Sequence, residues 1–155
     1  MTTYTPEQLR RIDALVAEKV MEWIRPPKEK KYDGAWTIIF NDDGKITHLE
    51  QNGLKIKCEE YYDEWYWKNP EGKYRDYTPE WSENIIHAWM VVEKMRKYAK
   101  SPVDHNGIVI MLDDSGWYCE FPAPRWEEAT CLTAPLAICL AALKAVGVNV
   151  EKELE

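Results

Sequence analysis

The run Thr133–Val146 constrains the fold more than any other stretch of this chain. It carries one charged side chain, Lys144, followed by Gly147 as a natural helix stop. A helix that apolar has no solvent face to speak of and is expected to be buried on most sides. Ala137, Ala141 and Ala145 recur every fourth residue and form a smooth strip on which a second helix can lie close. An intramolecular neighbour is the favoured occupant of that strip. The same apolar helix also motivates an expectation of a homo-oligomer, most simply a two-fold dimer.

Two further helices are legible from their ends. Thr5 offers an N-cap hydroxyl, Pro6 suits the first helical position and Gln8 completes a capping box. Leu9, Ile12, Val16, Val20 and Trp23 then form one apolar stripe, with Arg10, Arg11, Asp13 and Glu18 expected away from it. Pro26-Pro27 should end the helix. The next helix is expected to start at Thr78-Pro79-Glu80 and to turn Trp81, Ile85, Ala88, Val92, Met95 and Ala99 inward. Lys94, Arg96, Lys97 and Lys100 gather at its C-terminal end, where cations complement the helix dipole.

Between the helices the periodicity changes to two. Ala35–Phe40 and Lys45–Leu49 flank Asn41-Asp42-Asp43-Gly44, and Asn52-Gly53 marks a turn before Leu54–Cys58. Ile108–Leu112 and Trp117–Phe121 flank Asp113-Asp114-Ser115-Gly116, with Arg125–Cys131 a further candidate strand. The order α-β-β-β-α-β-β-α, with an extra aromatic hairpin, implies an α+β domain in which helices layer a largely antiparallel sheet.

Three of these segments resemble a known family. They are Leu9–Trp23, containing Asp13-Ala14-Leu15-Val16-Ala17-Glu18-Lys19-Val20-Met21; Asn84–Met95, containing His87-Ala88-Trp89-Met90-Val91-Val92-Glu93-Lys94-Met95; and Thr133-Ala134-Pro135-Leu136-Ala137-Ile138-Cys139-Leu140-Ala141-Ala142-Leu143. In that order they resemble the phage ABA-sandwich domain, a small protein of bacteriophages and prophages. The resemblance implies a single sandwich-like domain over residues 1–155, interrupted by an enlarged insertion at about 27–77. It brings no active site with it.

Composition narrows the function classes. A formal charge of −7 argues against duplex nucleic acid as a partner, which demands clustered Lys and Arg to neutralise phosphates. No apolar run approaches the ~20 residues needed to span a bilayer, and the N-terminus lacks a signal-peptide pattern, so a cytoplasmic protein is expected. Cys58, Cys119, Cys131 and Cys139 show no C-x-x-C pairing and are expected as reduced, mostly buried thiols. There is no phosphate loop, nucleophile elbow or H-E-x-x-H, so neither catalytic nor metal-binding residues are assigned, no cofactor is expected, and the chain reads as a non-enzyme. His48 and His87 are expected as packed or partner-bonded histidines. His105 beside Asp104 is a weak candidate base with no nucleophile to serve.

The insertion holds the unusual chemistry. Glu59-Glu60-Tyr61-Tyr62-Asp63-Glu64-Trp65-Tyr66-Trp67 interleaves acids with aromatics, and Asn69-Pro70-Glu71-Gly72 should turn the chain so that Trp65–Lys68 meets Lys73–Tyr77. One reading is cross-strand packing over a small sheet. The other is a recognition surface in which Trp65, Tyr66, Trp67 and Tyr77 offer stacking faces, while Lys73 and Arg75 supply cations. On that second reading, with the phage lineage, the chain is expected to be a sponge that sequesters a small nucleotide signal of host anti-phage immunity. The alternative is an inhibitor or accessory factor that docks a host protein through its acidic aromatic surface.

Overall fold

The computed structural model describes residues 2–24, 29–32, 36–40, 46–57, 67–70, 74–75, 80–98 and 107–155, with the backbone alone at 29–32, 40, 46, 56–57, 67–68 and 74–75. In chain order the elements are α1 (Pro6–Leu15), a π-helical turn (Val16–Val20), β1 (Glu29–Tyr32), β2 (Trp36–Phe40), β3 (Ile46–Gln51), β4 (Leu54–Lys57), β5 (Trp67–Lys68) and β6 (Tyr74–Arg75). They continue with α2 (Ile85–Arg96), β7 (Val109–Asp113), β8 (Gly116–Phe121), β9 (Glu127–Cys131), α3 (Ala134–Ala145) and α4 (Val150–Leu154). Among the described residues all strand pairs are antiparallel, in three sheets ordered β1-β2-β3-β4, β5-β6 and β7-β8-β9. The chain divides into two compact units, Met1–Met21 with Pro79–Glu155, and Glu22–Thr78. The second unit spans nearly the segment read as an insertion. No helix among the described residues is long and apolar enough to cross a membrane.

In the first unit α3 is the central element. Every residue of it except Lys144 is buried, because it meets β8 and β9 on one side and α1, the π turn and α2 on others. Ala137, Ala141 and Ala145 are fully buried within the single chain, so the alanine strip is taken up internally and leaves no surface for a partner. Gly147 stops the helix at φ 88°, a conformation that costs a side-chain-bearing residue ~1–2 kcal/mol. The short α4 that follows was not anticipated; Asn149 Oδ1 caps it by accepting the Lys152 N–H at 3.2 Å.

α1 begins as its sequence dictates. Thr5 Oγ1 accepts the Gln8 N–H at 3.2 Å, and the Thr5 N–H donates to Gln8 Oε1 at 3.0 Å. Ile12, Val16, Val20 and Trp23 are buried, as the stripe requires. Two polar residues depart from expectation. Asp13 is buried, bonded to the turn before α2, and Arg11 reaches the end of α4, where its Nη1 donates to the Leu154 carbonyl at 3.2 Å. A cation there meets the free carbonyls of a helix C-terminus. The helix also ends sooner than the prolines would end it: the Met21 N–H closes a π turn on the Val16 carbonyl at 2.9 Å, and Glu22 is left-handed at φ 59°. Pro26 and Pro27 lie outside the described residues.

α2 starts at Ile85, later than the Thr78-Pro79 signal suggests, and that signal lies outside the described residues. Asn84 is its N-cap, accepting the Ile86 N–H at 2.9 Å, while residues 81–83 form a turn. The local competition is decided by tertiary bonds: Asp13 takes the Ser82 N–H at 2.7 Å and His87 Nδ1 takes the Glu80 N–H at 3.1 Å, so both donors are spent outside a helix. Ala88, Val91, Val92 and Met95 turn inward, whereas Ile85, expected inward, is 49% exposed.

The β7-β8-β9 sheet packs Cys119, Phe121, Ala129 and Cys131 towards α3. Its hairpin is tighter than the four-residue signal implied, with Asp114-Ser115 as the loop and Asp113 Oδ1 accepting the Ser115 N–H at 2.7 Å. In the second unit, β2, β3 and β4 form the expected meander, with Asn52-Gly53 left-handed at φ 48° and 81°. β1 adds an unforeseen strand: it pairs with β2, Glu29 opposite Ile39 and Tyr32 opposite Trp36. Its residues, Glu29-Lys30-Lys31-Tyr32, carry little apolar signal, which is why periodicity passed over them.

Candidate functional site

Of the residues singled out in the insertion, Trp65, Tyr66, Lys73 and Tyr77 lie outside the described residues. Trp67 and Arg75 are brought together: they face each other across the β5-β6 ribbon, with Lys68 opposite Tyr74. Directly opposed positions share a face of the ribbon, so position 67 falls on the same face as 75, and 68 on the same face as 74.

A second constellation, which sequence reasoning missed, lies in the first unit. A cleft of about 390 Å³ opens between the N-terminal segment, β9 and the α3–α4 connection, lined by Tyr4, Arg125, Glu127, Lys144, Asn149 and Glu151 among others. Each side chain arrives for a local reason. Lys144 is the one charge on α3, carried at its last turn, and its Nζ donates to the Glu128 carbonyl at 3.2 Å. Arg125 lies across the end of that helix, with its guanidinium atoms 3.6, 3.7 and 3.9 Å from where a Cβ on Gly147 would stand. A side chain at 147 would touch it. Among the described residues Arg125 makes no hydrogen bond or ion pair. Burial raises the Tyr4 phenol above its ordinary value, with Cys131 and Glu151 adding to the effect, so its hydroxyl stays a donor. The only sequence signal was the isolation of Lys144; nothing local links it to Tyr4 or Arg125.

The cleft can therefore offer two cations and a phenol to an anion, and two carboxylates to a donor. Its size falls within the range of small-ligand sites. It is poorly suited to nucleophilic chemistry, because burial pushes the nearby Cys131 thiol up to about 11, and Cys119 up to about 12. Cys139, fully buried, is raised further still. The three thiols are free. Among the described residues no group of three His, Cys, Asp or Glu is arranged to hold a metal ion.

The two histidines among the described residues have protein partners. His48 Nδ1 lies 2.9 Å from Thr47 Oγ1, and its Nε2 lies 3.2 Å from Glu50 Oε1. That contact, first of all, lowers the Glu50 carboxyl below its ordinary range, with Lys55 assisting. His87 caps Glu80 and meets Trp81 edge to face at 6.4 Å. His105 lies outside the described residues.

The outer face of the β7-β8-β9 sheet has a different character. Glu120 and Glu128 are directly opposed on β8 and β9, and the Tyr118 hydroxyl stands between them, bonded to Glu120 and, at 2.6 Å, to Glu128. Those two bonds hold the phenol well above its ordinary pKa. Trp126, the residue before β9, is 57% exposed. The result is an acidic surface with aromatic rings in it.

The chain matches the family model of the phage ABA sandwich domain over residues 14–143. It is similar to a phage protein from Bacillus cereus ATCC 14579, known from a 2.0 Å crystal structure, with a TM-score of 0.51 and 19% identity, covering 96% of this chain and 95% of that one. That likeness is one of fold. No match to a curated protein was found.

Proposed function

The chain belongs to the phage ABA sandwich domain family, and from that premise we propose that it is a non-catalytic binding protein that sequesters a small nucleotide signal of host anti-phage immunity. The observation that carries this reading is the cleft lined by Arg125, Lys144 and Tyr4, with Glu127 and Glu151 on the same walls. A net-negative protein repels a free anion at long range, so a phosphate has to be held by a local pair of cations. The carboxylates complete the complementarity, since a nucleotide carries donor amino groups at the end opposite its phosphate. The β5-β6 register supports a second place, since it sets an aromatic residue, Trp67, at the position opposed to a cationic one, Arg75.

Calorimetric titration with cyclic di- and trinucleotides and ADP-ribose derivatives tests the reading. Wild-type protein should bind at least one of them, and Arg125→Ala should weaken binding by ~tenfold or more if its guanidinium meets the phosphate. Trp67→Ala, compared alongside, tells which of the two places holds the base, because lost stacking costs ~1–3 kcal/mol per base. If no ligand in the set binds, the sponge reading is wrong.

A protein-docking inhibitor is the second reading, favoured by the acidic aromatic sheet face of Tyr118, Glu120, Glu128 and Trp126. Such a face complements a basic host surface. Capture of a host protein that is lost on Trp126→Ala and at high salt, with no nucleotide bound, would support it.

A further inference from the structure

The two edges of the β7-β8-β9 sheet are built differently. The β9 edge, Glu127-Glu128-Ala129-Thr130-Cys131, places charged and polar residues outward, the usual device against strand addition. The β7 edge, Val109-Ile110-Met111-Leu112-Asp113, has no Lys or Pro and runs in unbroken register with β8. Among the described residues it has a strand on one side only. Its apolar side chains are not covered either: Val109 is 37% exposed, Met111 46% and Leu112 63%, on both faces of the strand.

Beside this edge runs a groove of about 620 Å³, in which Trp89, Val92, Glu93 and Arg96 of α2 face Ile108 and Ile110. Trp89 is 51% exposed, and Ile86, 74% exposed, continues the α2 row by one turn. An unprotected edge strand flanked by an uncovered aromatic groove is a surface made for a strand.

We infer that β7 pairs antiparallel with the β7 of a second copy of this chain across a two-fold axis, joining two three-stranded sheets into one of six. Charge decides the occupant. Arg96 closes the groove at the end of β7 where Gly107 and Ile108 lie, and Asp113 and Asp114 sit at the opposite end of the strand. Two-fold antiparallel pairing centred on Ile110 sets the partner copy's Asp113 opposite Gly107; centred on Met111, opposite Val109. The groove lies on the Ile108 and Ile110 face of β7, from which Asp113 alternates away, so it is the register centred on Met111, with the partner copy's Asp114 opposite Ile108, that brings an acid beside Arg96, twice per dimer by symmetry. Among the described residues Arg96 is held by an exposed ion pair with Glu93 at 3.1 Å, worth little to the monomer and easily exchanged. A five-residue strand alone falls short of the ~800 Å² per partner of a stable interface, so the dimer requires the exposed α2 row, Ile86 and Trp89, to be covered as well. This assembly needs neither the alanine strip of α3 nor the nucleotide cleft, so it stands apart from the sponge reading.

Sedimentation velocity and light scattering on the full chain test it. The wild type should be a dimer at micromolar concentration. Met111→Lys and Leu112→Lys each change an exposed side chain, so thermal melts should stay near wild type while the dissociation constant rises by ~tenfold or more. Thr130→Lys on the β9 edge should leave the dimer intact. Arg96→Glu and Asp114→Lys should each weaken it, and the double exchange should restore it. A wild-type monomer at micromolar concentration overturns the inference. So does a dimer that withstands both β7 lysines, or one that the double exchange fails to rescue.

Discussion

The carboxylate of Asp13, in the middle of α1, accepts the backbone N–H of Ser82 at 2.7 Å from a position where 5% of the residue is exposed. This one bond ties the first helix to the turn that precedes α2, and it does so with a group that burial makes reluctant to ionise. Its pKa is raised from 3.8 to about 7, chiefly by desolvation and further by Glu83 and Glu80, while the bond from the Ser82 N–H pulls the other way. Between those two values the folded chain holds a proton that the unfolded chain has released. Stability should therefore fall as pH rises from about 4 to about 7 and level off above. Asp13→Asn keeps an oxygen acceptor for Ser82 and carries no charge. It should match wild type near pH 4 and exceed it at pH 8 by about 2–4 kcal/mol in urea unfolding. Equal pH slopes for the two proteins would show that Asp13 titrates normally.

Ala141→Trp should abolish folding or lower the melting temperature sharply. Ala141 is fully buried where α3 packs in the core, and overpacking costs ~1–3 kcal/mol even for added methylenes, with an indole far larger. A soluble variant melting with the wild type would contradict the packing described.

Gly147→Ala should cost about 1–2 kcal/mol, because φ 88° is left-handed; the new Cβ itself meets the Arg125 guanidinium at ordinary contact distance, 3.6 Å. Chemical denaturation measures the loss, and titration of the same variant asks whether the cleft has been disturbed. No loss of stability would mean that α3 can end in another conformation.

Tyr118→Phe removes the proton that bridges Glu120 and Glu128, leaving two like charges directly opposed on β8 and β9. The melting temperature should drop at neutral pH in low salt, and part of the loss should return at high salt, where exposed charges are screened. A deficit indifferent to salt would indicate lost packing in place of repulsion.

What the sequence determined by itself was local in origin. The capping box at Thr5 and Gln8, the Asn52-Gly53 turn, the stop at Gly147 and the burial of α3 all follow from a few neighbouring residues, because caps, turns and periodicity act over one or two turns of chain. The three helical segments also carried enough lineage to point to the family whose model matches residues 14–143. Only the tertiary structure decided the rest. Asp13 and Ser82 are 69 residues apart in sequence, and no local pattern reveals that the acid is buried or that it displaces the start of α2 to Ile85. Tyr4, Arg125 and Lys144 meet in a cleft because α3 and the strand before it return to the N-terminal segment. β7 looks like any apolar strand until its place at a sheet edge leaves Met111 and Leu112 exposed. Periodicity tells which residues seek cover; only the packing of distant segments determines which of them find it.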